Sequence, residues 1–190
     1  MKKIIILFFL TTFSLNSQIL SEKNRAVKIN EILKYRFENV LPELMDKTGI
    51  DMWILISREY NEDPVIRTML PSTWLNARRR TILVIYDRGP EEGLETLAVA
   101  RYDVGEVFKK AWDKEVQPDQ WARLKEIIDE RNPEKIGINQ SEHWQHADGM
   151  VLTDYQEMVD GIVERLNVLK IINEDHFLES MFHYYQHSLF

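Results

Sequence analysis

The sequence predicts an α/β domain, a mixed sheet flanked by helices, and three observations lead there. Ile50-Asp51-Met52-Trp53-Ile54-Leu55-Ile56 is apolar on both faces of an extended segment, with Met52, Ile54 and Ile56 on one face and Trp53 and Leu55 on the other. Such a run belongs in the middle of a sheet covered on both sides. Thr81-Ile82-Leu83-Val84-Ile85-Tyr86 is a second buried run of the same kind. Lys135-Ile136-Gly137-Ile138-Asn139 follows directly on an amphipathic stretch, giving the helix-into-strand unit of layered α/β folds.

The chain opens with an address. Lys2 and Lys3 form a basic n-region, Ile4 to Phe13 an apolar h-region, and Ser17 before Gln18 a cleavage point. The apolar run is shorter than the ~20 residues that span a bilayer, so removal of residues 1–17 is expected over retention as an uncleaved anchor, with the chain exported, periplasmic or extracellular. Loss of Lys2 and Lys3 changes the formal net charge from −7 to −9. That acidity argues against nucleic acid and anionic membranes as partners, and no stable membrane insertion is expected after cleavage. With no cysteine, disulfides, thiolate sites and lipid attachment through an N-terminal Cys are all excluded.

The first mature element is a helix. Ala26, Ile29, Leu33, Phe37, Val40 and Leu44 recur at steps of three and four. Ser21 or Asn24 caps it, and Pro42 kinks it or opens a second helix capped by Asn39. Gly49 closes the helix and hands the chain to the central strand. After an irregular stretch from Tyr60 to Asn76, Arg78-Arg79-Arg80 leads into the second strand. The loop Asp87 to Gly93 turns the chain, and Leu94 to Arg101 reads as a third strand antiparallel to the second. Val104 to Trp112 reads as a short helix. A clearer one follows Pro118, with Asp119 as cap and Trp121, Leu124, Ile127 and Ile128 as its inner stripe; Asn132-Pro133 ends it. Thr153-Asp154-Tyr155-Gln156 fits a capping box for a last helix through about Val163.

Four groups of residues are weighed as candidate sites. Arg58, Glu59, Tyr60 and Trp74, with Asp63, beyond the carboxyl end of the central strand, form a candidate binding rim where open α/β sheets place their sites, and a surface ion-pair cluster explains the charged members at least as well. As exposed rim residues, Arg58 and Tyr60 are expected to be replaceable without loss of stability. The basic triplet at 78–80 has the charge to hold a carboxylate or acidic partner, but no phosphate-cradling glycine loop accompanies it and a solvated lead-in to the strand explains it better. His143-x-x-His146 with Asp148 has the residue types of a metal site, but it lies in a polar loop without a fourth ligand in sequence, and incidental histidines explain it better. His183 and His187 share a helical face at i, i+4, with His176 nearby, the pattern of a weak zinc site.

The opening block Gly49-Ile50-Asp51-Met52-Trp53-Ile54-Leu55-Ile56 resembles the N-terminal domain of the creatinase, prolidase and Xaa-Pro aminopeptidase family. So, more specifically, does Lys135-Ile136-Gly137-Ile138-Asn139 with Ala147-Asp148-Gly149-Met150 and Thr153-Asp154-Tyr155. The resemblance spans about residues 24–160 and implies a ribonuclease-H-like layout. In that family catalysis belongs to a following pita-bread domain, where two Asp, one His and two Glu hold two divalent metal ions. None of the seven glycines here, at 49, 89, 93, 105, 137, 149 and 161, adjoins a histidine, as the family's metal-binding segment requires. The Asn-x-x-Tyr-Leu-Thr/Ser-Gly element that usually follows the first strand is replaced by residues 58–80.

The resemblance therefore implies a non-catalytic domain at 18–163 that serves subunit association or covers a partner's active site. Residues 164–190 form a divergent tail, expected from truncation of a longer chain. No cofactor is expected in this chain. The partner is another copy or a separately encoded catalytic domain. Two other readings remain open: half of a split, active aminopeptidase, and a free-standing ligand-binding or interaction module.

Overall fold

A computed structural model of the 190-residue chain describes residues 19–166 and 170–172, so the expected signal peptide, the tail histidines and most of the C-terminal tail lie outside the described residues. Helix α1 (Glu22–Tyr35) starts where Ser21 Oγ accepts from the Asn24 N–H at 3.3 Å. A π-helical turn, Arg36–Val40, carries it without a break into α2 (Leu41–Thr48), where Pro42 occupies the first turn. Proline inside a continuous helix removes one ladder hydrogen bond, and it follows directly on the π-helical turn, where the Leu41 N–H donates to the Arg36 carbonyl. Asn39 is no cap; its Nδ2 donates to the Tyr35 carbonyl at 3.0 Å. Gly49 ends α2 in the left-handed conformation at φ 64°, as expected.

Among the described residues six strands form one sheet in the order β4-β3-β2-β1-β5-β6. They are β1 (Met52–Arg58), β2 (Arg80–Asp87), β3 (Leu94–Ala98), β4 (Lys109–Lys110), β5 (Lys135–Ile138) and β6 (Lys170–Ile172). β1 pairs antiparallel with β2 and β2 with β3, whereas β5 lies parallel to β1 and β6 parallel to β5. A three-strand antiparallel meander continued by parallel strands on the other side of β1 is the ribonuclease-H-like order that the resemblance implies. β6 comes from beyond residue 163, so the sheet takes its edge strand from the segment expected to be a divergent tail.

The two faces of β1 bury two cores. Trp53 and Leu55 join Leu83 and Ile85 of β2 under α2 and the short helix α3 (Ile66–Met69). Met52, Ile54 and Ile56 join Ile82, Val84, Ile136 and Ile138 under α4 (Gln120–Arg131) and α5 (Leu152–Leu166). Asp119 caps α4 by accepting from the Trp121 N–H at 2.9 Å.

Two local expectations are corrected. The segment from Val104 to Trp112 is not a helix. Val104 and Phe108 bridge each other and sit in the first core, whereas Ala111 and Trp112 pack against the second. The apolar spacing mimics a helical face because the chain passes from one side of the sheet to the other at its edge. The capping box at Thr153 also fails: α5 already begins at Leu152, and Asp154 turns away from the helix to hold an arginine. Among the described residues no helix is long and apolar enough to cross a membrane.

Candidate functional site

The carboxyl ends of β1 and β5 meet a buried polar relay. The Trp53 indole N–H donates to Asn139 Oδ1 at 2.8 Å, and Asn139 Nδ2 donates to Asp63 Oδ2 at 2.6 Å. The other oxygen of Asp63 accepts the backbone N–H groups of Val65 at 2.6 Å and Ile66 at 3.1 Å. Asp63 thus caps the turn that Pro64 opens, the usual arrangement of an acidic cap followed by proline. Its own N–H donates to Ser57 Oγ at 3.0 Å. Gly149 closes the relay from above: a Cβ there would lie 2.4 Å from the Asp63 carboxyl. Burial pushes the Asp63 carboxyl up to about 6, against the pull of hydrogen bonds from Asn139 and from the Ile66 and Val65 N–H groups. Asp63 and Asn139 are fully buried, so the relay is scaffold that sets the shape of the strand end.

At the other end of the motif, Asp51 Oδ2 accepts the N–H groups of Glu134 at 2.6 Å and Lys135 at 2.9 Å. The Gly-Ile-Asp block and the Lys-Ile-Gly-Ile-Asn block are therefore bonded together at both ends of their shared strand pair.

Beside the relay lies a charged cluster. The β1–β2 register sets Arg58 opposite Arg80, and like charges across a strand pair repel. Helix α5 answers with two carboxylates. Asp154, 1% exposed, takes Arg58 in a bidentate pair, Nε and Nη2 to Oδ1 at 2.9 and 2.7 Å and Nε to Oδ2 at 2.9 Å. Glu157 takes Arg80, which also donates to Gln120 at 3.0 Å and stacks 4.3 Å over the Trp121 ring. The hydrogen bond to Asp154 holds the Arg58 guanidinium above its ordinary range. The Trp121 indole and then Arg80 hold the Glu157 carboxyl below its own.

The five rim candidates divide: Asp63 is fully buried and belongs to the relay, not to an exposed rim. Tyr60 is 89% exposed, and Glu59 accepts the Arg79 N–H at 3.3 Å. Trp74 is half-buried and tilts against Tyr102 with ring centroids 5.6 Å apart. Arg58 is committed to Asp154 and is not the dispensable surface residue expected from sequence. Arg58→Ala strands a buried carboxylate, and a loss of about 1–2 kcal/mol is expected once partial solvent exposure is allowed for. Tyr60→Ala should stay within about 0.5 kcal/mol. Equal melting curves for the two variants would contradict this assignment.

His146 lies in a short 3-10 turn, Gln145–Ala147, its ring 5.9 Å from that of Trp144, while Asp148 accepts the Ser141 N–H at 3.4 Å. Among the described residues, no three His, Cys, Asp or Glu side chains converge as a metal site would require.

No protein-family model matches the sequence, and no curated protein matches it. Among solved structures the chain is similar to an Xaa-Pro dipeptidase from Bacillus anthracis, with 15% sequence identity and a TM-score of 0.47, over 82% of this chain and 35% of that one. The chain thus spans about a third of that protein's length.

Proposed function

We propose that this chain is a non-catalytic domain of the Xaa-Pro aminopeptidase-like kind, which acts by associating with another subunit and covering its active site. One observation supports the reading above others. The two sequence blocks that carry the family resemblance, 49–56 and 135–139, lie side by side as β1 and β5, joined by Asp51 at one end and by the Trp53–Asn139 bond at the other. The titratable groups near that strand end are spent on structure. Asp63 caps a turn, and Asp154 and Glu157 neutralise arginines, so these three carboxylates are committed to the scaffold.

The test is association. Sedimentation velocity of the mature chain across the micromolar range should show a concentration-dependent shift from monomer to a larger species. A chain that stays monomeric throughout, and does not co-sediment with a separately produced metallopeptidase domain of this family, would overturn the proposal. The proposed site of action is outside the cytoplasm. N-terminal sequencing of exported material should read from about Gln18, and an intact Met1 would contradict export by a cleaved signal.

A further inference from the structure

We infer that the cleft beside the β1–β2 end is a binding site for a ligand carrying two or more carboxylates. The cleft has a volume of about 490 Å³, within the size range of small-ligand sites. Its walls hold five guanidiniums, from Arg58, Arg78, Arg79, Arg80 and Arg101, and one carboxylate, Glu59. Arg58 and Arg80 are locked onto Asp154 and Glu157 of α5. Arg78, Arg79 and Arg101 are exposed and form no ion pair among the described residues. Three unneutralised arginines converge here in a chain whose net charge is −7, so the local field runs against that of the whole molecule.

Backbone conformation adds to the case. Arg79 sits at φ 49° and Tyr60 at φ 69°, left-handed positions that strain a residue with a side chain. They flank the Glu59–Arg79 pair, in which the Glu59 N–H donates to the Arg79 carbonyl at 2.6 Å and Glu59 accepts the Arg79 N–H. The pair continues the β1–β2 ladder past its end and fixes the backbone from which the Arg79 side chain leaves.

The ligand class follows from which donors remain. The N–H groups of Glu59, Tyr60, Arg78 and Arg79 are all bonded, to the Arg79 carbonyl, Glu62, Thr81 Oγ1 and Glu59 respectively. None of these four offers an open backbone donor, the usual seat of a phosphate. The charged donors of the cleft are planar guanidinium forks, which match the two oxygens of a carboxylate. Tyr102 and Trp112 supply flat apolar surface at the cleft. An adjoining cleft of about 380 Å³, lined by Trp74, shares Arg78 and Tyr102 with it, so the ligand is elongated. Asp103, on that second wall, is occupied by the Lys110 N–H at 2.7 Å.

Calorimetric titration of the whole chain with citrate, hexaglutamate peptide and inorganic phosphate tests this. Saturable binding of citrate or hexaglutamate is expected, weaker at high ionic strength and tighter than phosphate. Citrate alone would point to a free polycarboxylate, and a preference for hexaglutamate to an acidic peptide; either outcome supports the site. The double variant Arg78→Ala/Arg101→Ala should bind about tenfold more weakly or worse, the loss of charge-assisted hydrogen bonds, with an unchanged melting temperature. Arg67→Ala, an exposed arginine of a different cleft, should change affinity less than about twofold, as a charge outside the contact does. Binding of neither carboxylate, phosphate binding at least as tightly, or equal loss in Arg67→Ala would each overturn the inference.

Discussion

Trp53→Ala should destabilise the domain by about 3–5 kcal/mol, as large aromatic deletions in cores do. Trp53 is fully buried in the central strand and packs in the core beneath α2 and α3. Its indole N–H is the donor on which the Asn139–Asp63 relay is oriented. Deletion therefore opens a cavity and also leaves Asn139 Oδ1 without that partner. The expected loss is a large share of the 5–15 kcal/mol that holds a typical domain together. Chemical denaturation at neutral pH measures it; a midpoint unchanged from wild type would remove β1 from the core and the family resemblance with it.

The second large effect is expected at Asp63. Asp63→Ala leaves three buried donors, from Val65, Ile66 and Asn139, without their acceptor, and each such group costs about 1–3 kcal/mol. Part of that is offset because a buried carboxylate no longer has to be desolvated, so a net loss of roughly 3 kcal/mol is expected. Asp63→Asn is milder and more informative. Its oxygen keeps the two backbone bonds, but its amide N–H₂ then faces the Asn139 N–H₂. Turning Asn139 over only moves the donor–donor conflict to the Trp53 indole.

The pH dependence at Asp63 has a definite sign. Between about pH 4 and pH 6 the folded carboxyl keeps a proton that the unfolded chain has released, so this group's contribution to stability falls as pH rises through that window. Asp63→Asn lacks this slope. The stability difference between wild type and Asp63→Asn should therefore shrink from pH 4 to pH 6. A difference that grows across the same window would contradict the burial-dominated environment of Asp63.

Most of the scaffold was legible because its signals are local. The two-faced apolar runs of β1 and β2, the Asp119 cap and the glycine at 49 each act within a few residues, and the structure places them as read. What escaped was decided at a distance. Asp63 and Asn139 are 76 positions apart and Arg58 and Asp154 are 96 apart, and no pattern in one sequence links them. One local sign was present: Asp63-Pro64 is a cap followed by proline, which marks Asp63 as structural. The edge strand β4 is two lysines long, without strand alternation of its own, and exists only because β3 offers it an edge. Arg58 was misplaced because an arginine after a buried strand looks like a solvated rim unless the Asp154 carboxylate on α5 is known.

The most direct test of the central claim is an aminopeptidase assay of the purified chain loaded in turn with manganese, cobalt and zinc, using Xaa-Pro dipeptides and tripeptides. A domain that covers another subunit's active site should leave them uncut. Metal-dependent release of the N-terminal residue that co-elutes with this chain through successive purification steps, and is lost on chelation, would contradict the account.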